Sequence, residues 1–445
     1  MNGRRKNTIL GGGCLICCLA GLLIYGSGGI RSAGGEKTLT VGLFSDSYWE
    51  VQNGYAYRML EEAEKAFQKQ YPQVQVEFTS GIMKADYSEW LAEQVLSGKA
   101  PDVFIILGED FNDYARTGVL KDLSSFIEKD DSFDLEAYYS SALSAGQYHQ
   151  IQYALPYECA PKLMFVNKTI LDQEGIEMPD NQWNWEEFYQ ICKKTTRDTD
   201  GNGTIDQFGV VGYTWEEAFE SNGVRVFNEE GTECSLTGSG AEEAVNFLER
   251  LKGLTGEYIA TERDFDLGNV VFQPMLFSEF RAYQSYPLSV KKYSGFEWGC
   301  IPMPAGPEGE NISTLDTLLL AMNERTAMEE EAWAFMKTMT ADPKIQKKIF
   351  TYSEGVSVLR QVTEADETLE ELMEDAGNTE SLNLHILSNA VENAAQAPRF
   401  RNAQEAVQEV NRAVEAIMEG STNISSELII WNRQINQYLA EQQSL

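Results

Sequence analysis

Residues 153–171 read YALPYECAPKLMFVNKTIL, and the reading of this stretch decides the fold. YALP (153–156) leads into PKLMFVNKTILDQEGI (161–176), a strand running into a short helix. An alternation of strands and helices has just ended upstream of it, and the same alternation starts again with it. A chain that runs through its β/α pattern twice is organised as two α/β lobes.

Upstream, KTLTVGLF (37–44) is β-branched and apolar between polar flanks, and reads as a strand. NGYAYRMLEEAEKAFQKQYP (53–72) places Tyr55, Met59, Ala63, Ala66 and Phe67 on one helical face, and Pro72 stops it. VQVEFTS (74–80) alternates as a second strand, and YSEWLAEQVLSGK (87–99) is helical. APDVFIILG (100–108) is apolar throughout Val103–Leu107, as a strand covered on both faces should be. FNDYARTGVLKDLSSFI (111–127) begins as another helix. The order implies a largely parallel sheet.

Downstream, WNWEEFYQICKKTTRD (183–198) is a helix that Asn184 caps, with Glu186 and Glu187 in its first turn. FGVVGY (208–213), VVFQPMLF (270–277), FEWGCIPMP (296–304) and TLDTLLLAMN (314–323) read as strands. Residues 241–254, 329–340 and most of the last 80 residues read as helices.

A chain of 445 residues suits two or three domains, and 43% hydrophobic residues give each lobe a core. Asp and Glu number 69 against 35 Lys and Arg, a formal charge of −34. Phosphate binding needs clustered cations, so nucleic acid is excluded as a partner. Such acidity suits a soluble exterior protein among divalent cations; solubility alone would also explain it.

The first residues, MNGRRKN, carry Arg4, Arg5 and Lys6, and an apolar run follows from Thr8 to Gly26. This is the pattern of an export signal. At about 19 residues the run is also long enough to cross a bilayer. Cys14 follows Gly12 and Gly13, but Leu10 lies a step too far back for an acylated cysteine and almost no apolar run precedes it; Cys17 and Cys18 follow Leu15 and Ile16, which fit worse, and a cleavage site near Gly26–Gly28 is open. The chain is expected outside the cell, attached by a lipid anchor or an uncleaved signal anchor, with the choice left open. GSGGIRSAGGEK (26–37) reads as a flexible linker. Cys159, Cys192, Cys234 and Cys300 are far apart without a zinc spacing, and buried free thiols are expected.

The chain resembles the extracellular solute-binding proteins of bacterial ABC importers, in the carbohydrate-binding group that includes maltodextrin-binding protein. The matching pieces come in the family's order: FQKQYPQVQVEF, EQVLSGKAPDVF, YARTGVLKDLSSFI, YALPYECAPKLMFVNKTIL, WNWEEF, DTDGNGTIDQFG, GCIPMPAGPEG and EEAWAFMKTMTADPKIQKKI. The resemblance covers roughly residues 38–440. The resemblance implies an α/β, two-lobe periplasmic-binding-protein-like fold with a hinge and an interlobe ligand cleft. It implies a first lobe from 37–153 with 310–345 and a second from 156–305 with 350–445. The implied function is capture of a mono- or oligosaccharide and delivery to the transmembrane subunits of an ABC permease, by a monomer. A peptide or polyamine as ligand, or a membrane-anchored sensor without transport, are the alternatives.

Ligands of such folds sit at the carboxyl ends of strands. Sugars are held by flat aromatic faces and by carboxylates that bridge hydroxyls. Candidates with those groups are Asp46, Tyr48 and Trp49 after the first strand, and Glu109 and Asp110 after the third. Tyr157 and Glu158 lie at the first crossing; Tyr213 and Trp215, then Glu279 and Tyr283, follow later strands. For each aromatic the competing reading is core packing, and for each acid a solvated loop.

Residues 198–209, DTDGNGTIDQFG, have the spacing of a calcium loop. Asp198, Asp200 and Asn202 take positions one, three and five, Gly203 the sharp turn, the Thr204 carbonyl position seven, and Asp206 position nine. Position twelve is Gly209 where a bidentate Glu is needed, and a strand stands where the second helix of an EF-hand would be. A structural Ca²⁺ is expected here; a turn rich in Asp, Asn and Gly is the alternative. No catalytic motif is present: His149 and His385 stand outside any HExxH or triad pattern, and GxSxG and the P-loop are absent. The chain is expected not to be an enzyme.

Overall fold

The computed structural model describes residues 37–442, except 47–48, 50–55, 80, 286–295, 376–383 and 421–422. Tyr55, placed above on a helical face, and the export segment at 1–36 lie outside these residues.

The strands are β1 (Lys37–Gly42), β2 (Val74–Thr79), β3 (Val103–Ile106), β4 (Gln147–Tyr148), β5 (Ile151–Gln152) and β6 (Ala154–Asn167). They continue with β7 (Phe208–Val210), β8 (Val270–Leu276), β9 (Trp298–Ile301), β10 (Thr314–Met322), β11 (Val356–Ser357) and β12 (Ala395–Gln396). All but the β4–β5 hairpin join one mixed sheet with the path β2-β1-β3-β10-β6-β8-β7. β1 runs parallel to both β2 and β3, as the strand–helix alternation requires. β10 inserts antiparallel between β3 and β6.

Sequence periodicity accounts for the local structure. In the helix Ala56–Gln70, Met59, Ala63 and Phe67 recur every four residues and are all buried, while Glu61 and Lys65 face water. All four residues of β3 are buried, as a strand between β1 and β10 should be. The predicted helix 183–198 begins at Trp185, and Asn184 accepts from the backbone N–H of Glu186 and Glu187 while the Glu187 carboxylate takes the N–H of Asn184. The segment 111–127, which the sequence reads as beginning in a helix, ends the helix Gly108–Arg116 and then forms a second one, Ser124–Lys129, with Leu120 bridging to Asn323 between them.

β6 differs from the sequence reading. YALP and KLMFV belong to one strand of 14 residues. Its first half pairs with β10 through Pro161, and its second half pairs with β8 and β9 from Lys162 onward. The two prolines lie where the ladder changes. Pro156 borders the register shift opposite Leu318 and Leu319, and Pro161 is the last residue before the partners switch. Proline cannot donate to a ladder and is tolerated at such breaks.

Two buried cores flank the sheet. The second gathers residues from Met164 to Met303 and from Phe400 to Leu439. The first gathers Leu39–Phe165 and Leu315–Val391, with Phe265, Phe277, Phe280 and Trp298 among the side chains it draws from between. The sequence reading assigned all of 350–445 to the second lobe. The cores divide that segment: Phe350, Val362, Leu372 and Leu387 pack into the first, and the helices Ala403–Gly420 and Ile424–Gln442 into the second. The reason is packing of Leu384–Glu392 against β6 and against the helix Ser140–Ala145. Cys159, Cys192, Cys234 and Cys300 are buried free thiols.

Candidate functional site

Strand direction locates the site. β1 and β3 are parallel, so residues 43–46 and the helix Gly108–Arg116 leave the sheet at the same edge. Leu319 of β10 pairs with Ile106, so residues 314–318 extend past the end of β3, and Leu318 lies opposite Glu158 of β6. From the other side β8 ends at Leu276, opposite Lys162, with β7 parallel beside it. The carboxyl ends of both groups of strands therefore converge on residues 158–162 of β6.

On the β1–β3 side, Glu158 is fully buried. Its Oε1 accepts from Trp49 Nε1 at 2.7 Å, Ser353 Oγ at 2.6 Å and the Gly355 N–H at 2.7 Å. Burial pushes the Glu158 carboxyl up to about 7; bonds from Ser353 and Trp49 pull it back and the Glu354 charge adds to the rise. Tyr157, also buried, turns its hydroxyl to Met59 Sδ at 3.4 Å. Asp46 Oδ1 accepts the Lys84 N–H at 2.6 Å, which fixes the entry to the helix Lys84–Leu96. Glu109 accepts from Ser88 Oγ at 3.4 Å. Asp110 Oδ2 is buried with no hydrogen-bond partner among the described residues, and burial raises its carboxyl.

On the β7–β8 side the central group is Lys162, which the sequence reading did not single out. Its Nζ donates to Glu217 Oε1 at 2.6 Å and lies 3.8 Å from Glu216 Oε2. Glu217 closes a capping box with Thr214 at the start of the helix Trp215–Ser221, accepting from Thr214 N at 2.8 Å and Oγ1 at 2.6 Å. Burial alone would push the Glu217 carboxyl up, but the Lys162 ammonium and the Lys162 and Thr214 bonds outweigh it and hold the carboxyl down. Burial works against the Lys162 charge too, and Glu217, Glu216 and Asp316 outweigh that and raise it. Glu216 and Glu279 are both raised by burial, with Lys162 pulling each back. A single Lys inside the apolar run PKLMFV was the signal that could have found this group.

Of the sequence candidates, Trp49 and Glu158 come together at the crossing strand, while the neighbouring Tyr157 turns its hydroxyl to Met59 within the first core. Glu279 stands within the field of Lys162, and Asp46, Glu109 and Asp110 line the strand ends opposite. Tyr213 and Trp215 go elsewhere. Tyr213 packs on Phe188 and Phe247 and accepts from Trp185 Nε1 at 3.0 Å. Trp215, 7% exposed, donates to Asn411 Oδ1 within the second core. Both line a cavity of about 440 Å³ with Leu248, Leu251, Ile259 and Val414, and none of the other described candidates reaches it. Tyr48 and the Tyr283 side chain lie outside the described residues.

The loop 198–206 is a closed turn. Asp198 accepts from the N–H groups of Gly201, Asn202 and Gly203, and Asp206 accepts from the N–H and hydroxyl of Thr199. Carboxylate oxygens of Asp198, Asp200 and Asp206 lie within 4.8 Å of one another, a hard-oxygen set of the kind Ca²⁺ takes. Gly209 shows why position twelve carries no carboxylate: a Cβ there would lie 2.5 Å from Cys192 Cα.

A sheet whose strands approach one crossing strand from two sides, with two cores, is the architecture of two-lobed solute-binding proteins of the periplasmic type. The chain belongs to the bacterial extracellular solute-binding protein family, whose sequence model matches residues 52–345. It is 25% identical to a binding protein of Brucella abortus over 356 residues, 76% of this chain and 79% of that one. In fold it is similar to an ABC substrate-binding protein of Listeria monocytogenes solved with cycloalternan (TM-score 0.65, 21% identity, covering 91% of this chain and 100% of that one). It is also similar to the sugar-binding protein MalE of Xanthomonas citri (TM-score 0.73, 15% identity, covering 92% and 98%).

Proposed function

We propose that the chain captures a carbohydrate between its two lobes, outside the cell, and hands it to the transmembrane subunits of an ABC importer. The observation that carries this reading is the convergence of acidic and aromatic residues from both groups of strand ends on residues 158–162 of β6. The cycloalternan bound by the Listeria protein and the description of the Xanthomonas protein as sugar-binding support carbohydrate as the class. The protein works as a monomer and as a binding protein rather than an enzyme, tethered to the membrane by the segment 8–26.

The test is a thermal-shift screen with maltotriose, a cyclic tetrasaccharide, spermidine and a tripeptide. A ligand at a hundred times its Kd stabilises the native state by about 2.7 kcal/mol. A saccharide response is expected. A response to spermidine or peptide alone overturns the carbohydrate class and keeps solute capture. Uptake of the same saccharide into vesicles bearing the permease separates an importer component from a sensor.

Calcium belongs to the same proposal as a structural ion. Asp198, Asp200, Asn202 and Asp206 side chains with the Thr204 carbonyl would hold it, and it would staple the turn between the helix Trp185–Thr195 and β7.

A further inference from the structure

We propose that Glu158 is a positioning residue that sets both walls of the solute cleft at once. It fixes the loop after β1 through Trp49, and the helix Phe277–Ser285 after β8 through Gly355 and Arg281. The role of those walls rests on the solute-binding reading above; the linkage itself does not.

The chain of contacts is short and almost wholly dry. Trp49 is 6% exposed, Glu158 1% and Arg281 8%. Three donors from two separate segments end on one oxygen of Glu158: the indole of Trp49 and, from one turn, the hydroxyl of Ser353 and the N–H of Gly355. Gly355 is then held from its other end, where its carbonyl accepts from Arg281 Nη1 at 2.8 Å. The second guanidinium nitrogen of Arg281 donates to the Phe350 carbonyl, and the guanidinium lies 5.5 Å from the centre of the Phe350 ring. Only glycine permits this approach, since a Cβ on residue 355 would stand 2.2 Å from Glu158 Oε1.

Each end of the relay belongs to a wall. Trp49 lies three residues after Asp46 on the stretch that follows β1. Arg281 lies two residues after Glu279, on the helix that leaves β8 opposite Lys162. β6 itself passes between them, and β11 holds the 353–357 turn to it by pairing Ser357 with Glu158. A carboxylate needed only to fill a core would not gather donors from the chain near 49, 353 and 355 onto one atom. Moving the helix after β8 shifts the Gly355 carbonyl, hence its neighbouring N–H, hence the carboxylate that orients Trp49.

The experiment needs no solute, so it fails or succeeds independently of the carbohydrate reading. The full chain, purified in detergent micelles, is labelled with 5-fluorotryptophan, and the Trp49 resonance is assigned with Trp49→Phe. Arg281→Gln, which alters a residue three bonded links from Trp49, is expected to shift the Trp49 resonance. Glu158→Leu is expected to shift it as well, and Arg281→Gln added to Glu158→Leu is expected to move it no further. Glu158→Gln keeps an acceptor oxygen and should return the resonance towards its original position and restore the response to Arg281→Gln. The Trp183 resonance, whose indole donates to the Pro302 carbonyl at 2.9 Å in the other core, reports that each variant is folded. An unmoved Trp49 resonance in a folded Arg281→Gln chain overturns the proposal. So does a shift of the same size with and without the Glu158 carboxylate.

Discussion

Replacing Lys162 by methionine nearly preserves the side chain's length and removes its charge. Lys162 is 21% exposed and Glu217 4%, so the variant strands a carboxylate that water hardly reaches. Removing one partner of a buried pair costs about 3–5 kcal/mol. With an unfolding entropy of about 2.1 cal/mol/K per residue over roughly 400 residues, about 4 kcal/mol lowers the melting temperature by about 5 °C. The sign of the pH dependence follows from Glu217. In the natural chain its carboxyl is held below the usual 4.5, so its contribution is present above that pH and lost as pH falls through the folded value. In the variant the Lys162 charge and bond are gone, and burial, opposed by the Thr214 bonds alone, favours the neutral acid more than in the natural chain. The penalty is then full near pH 7 and fades as pH falls towards about 4.5. Scanning calorimetry should show the deficit at pH 7 shrinking by more than half at pH 4. Adding Glu217→Gln should recover most of it at pH 7, because no charge is left buried. A deficit equal at both pH values, and not repaired by Glu217→Gln, would refute the reasoning.

Glu158 gives a second pH effect of opposite sense to natural Glu217. Its carboxyl lies near 7, above its ordinary 4.5, so stability is full at low pH and falls by about 3 kcal/mol as pH rises through 7; Glu158→Gln should flatten this slope in denaturant titrations between pH 5 and 8. Asp200→Asn keeps the acceptor for the Asn202 N–H and removes a charge. It should abolish the rise in melting temperature on adding calcium and leave the value in chelator unchanged; equal loss in both would reduce the loop to a turn. Gly209→Glu supplies the missing carboxylate at position twelve but drives a Cβ into Cys192. It should destabilise by about 1–3 kcal/mol with or without calcium, and a tighter calcium site with unchanged stability would contradict the packing.

The order of elements was legible because it depends on local periodicity. The face of Ala56–Gln70, the buried run of β3 and the Asn184 cap are written in neighbouring residues. What was not legible depends on partners far along the chain. Two prolines made β6 read as interrupted, and only its change of partners from β10 to β8 explains how one strand absorbs them. The amphipathic helices between 349 and 392 show that they bury a face but not which core receives it. Trp49 and Trp215 look alike as exposed-loop aromatics after strands. One meets Glu158 across 109 residues and the other Asn411 across 196. Lys162 escaped notice because its meaning lies in Glu217, 55 residues on.

The interleaving of the two cores governs when the chain can fold. Neither core is complete in a continuous stretch: the first lacks Leu315–Val391 and the second lacks Phe400–Leu439 until those residues arrive. Chains usually fold by domains as synthesis proceeds, the amino-terminal unit first. Here a nascent chain that has reached residue 300 owns both halves of neither core; the first core waits for residues up to Val391, and the second for the helices Ala403–Gly420 and Ile424–Gln442. The topology thus postpones completion of the second core to the last tenth of the sequence, and a chain cut before residue 400 loses a whole wall of that core rather than a dispensable tail.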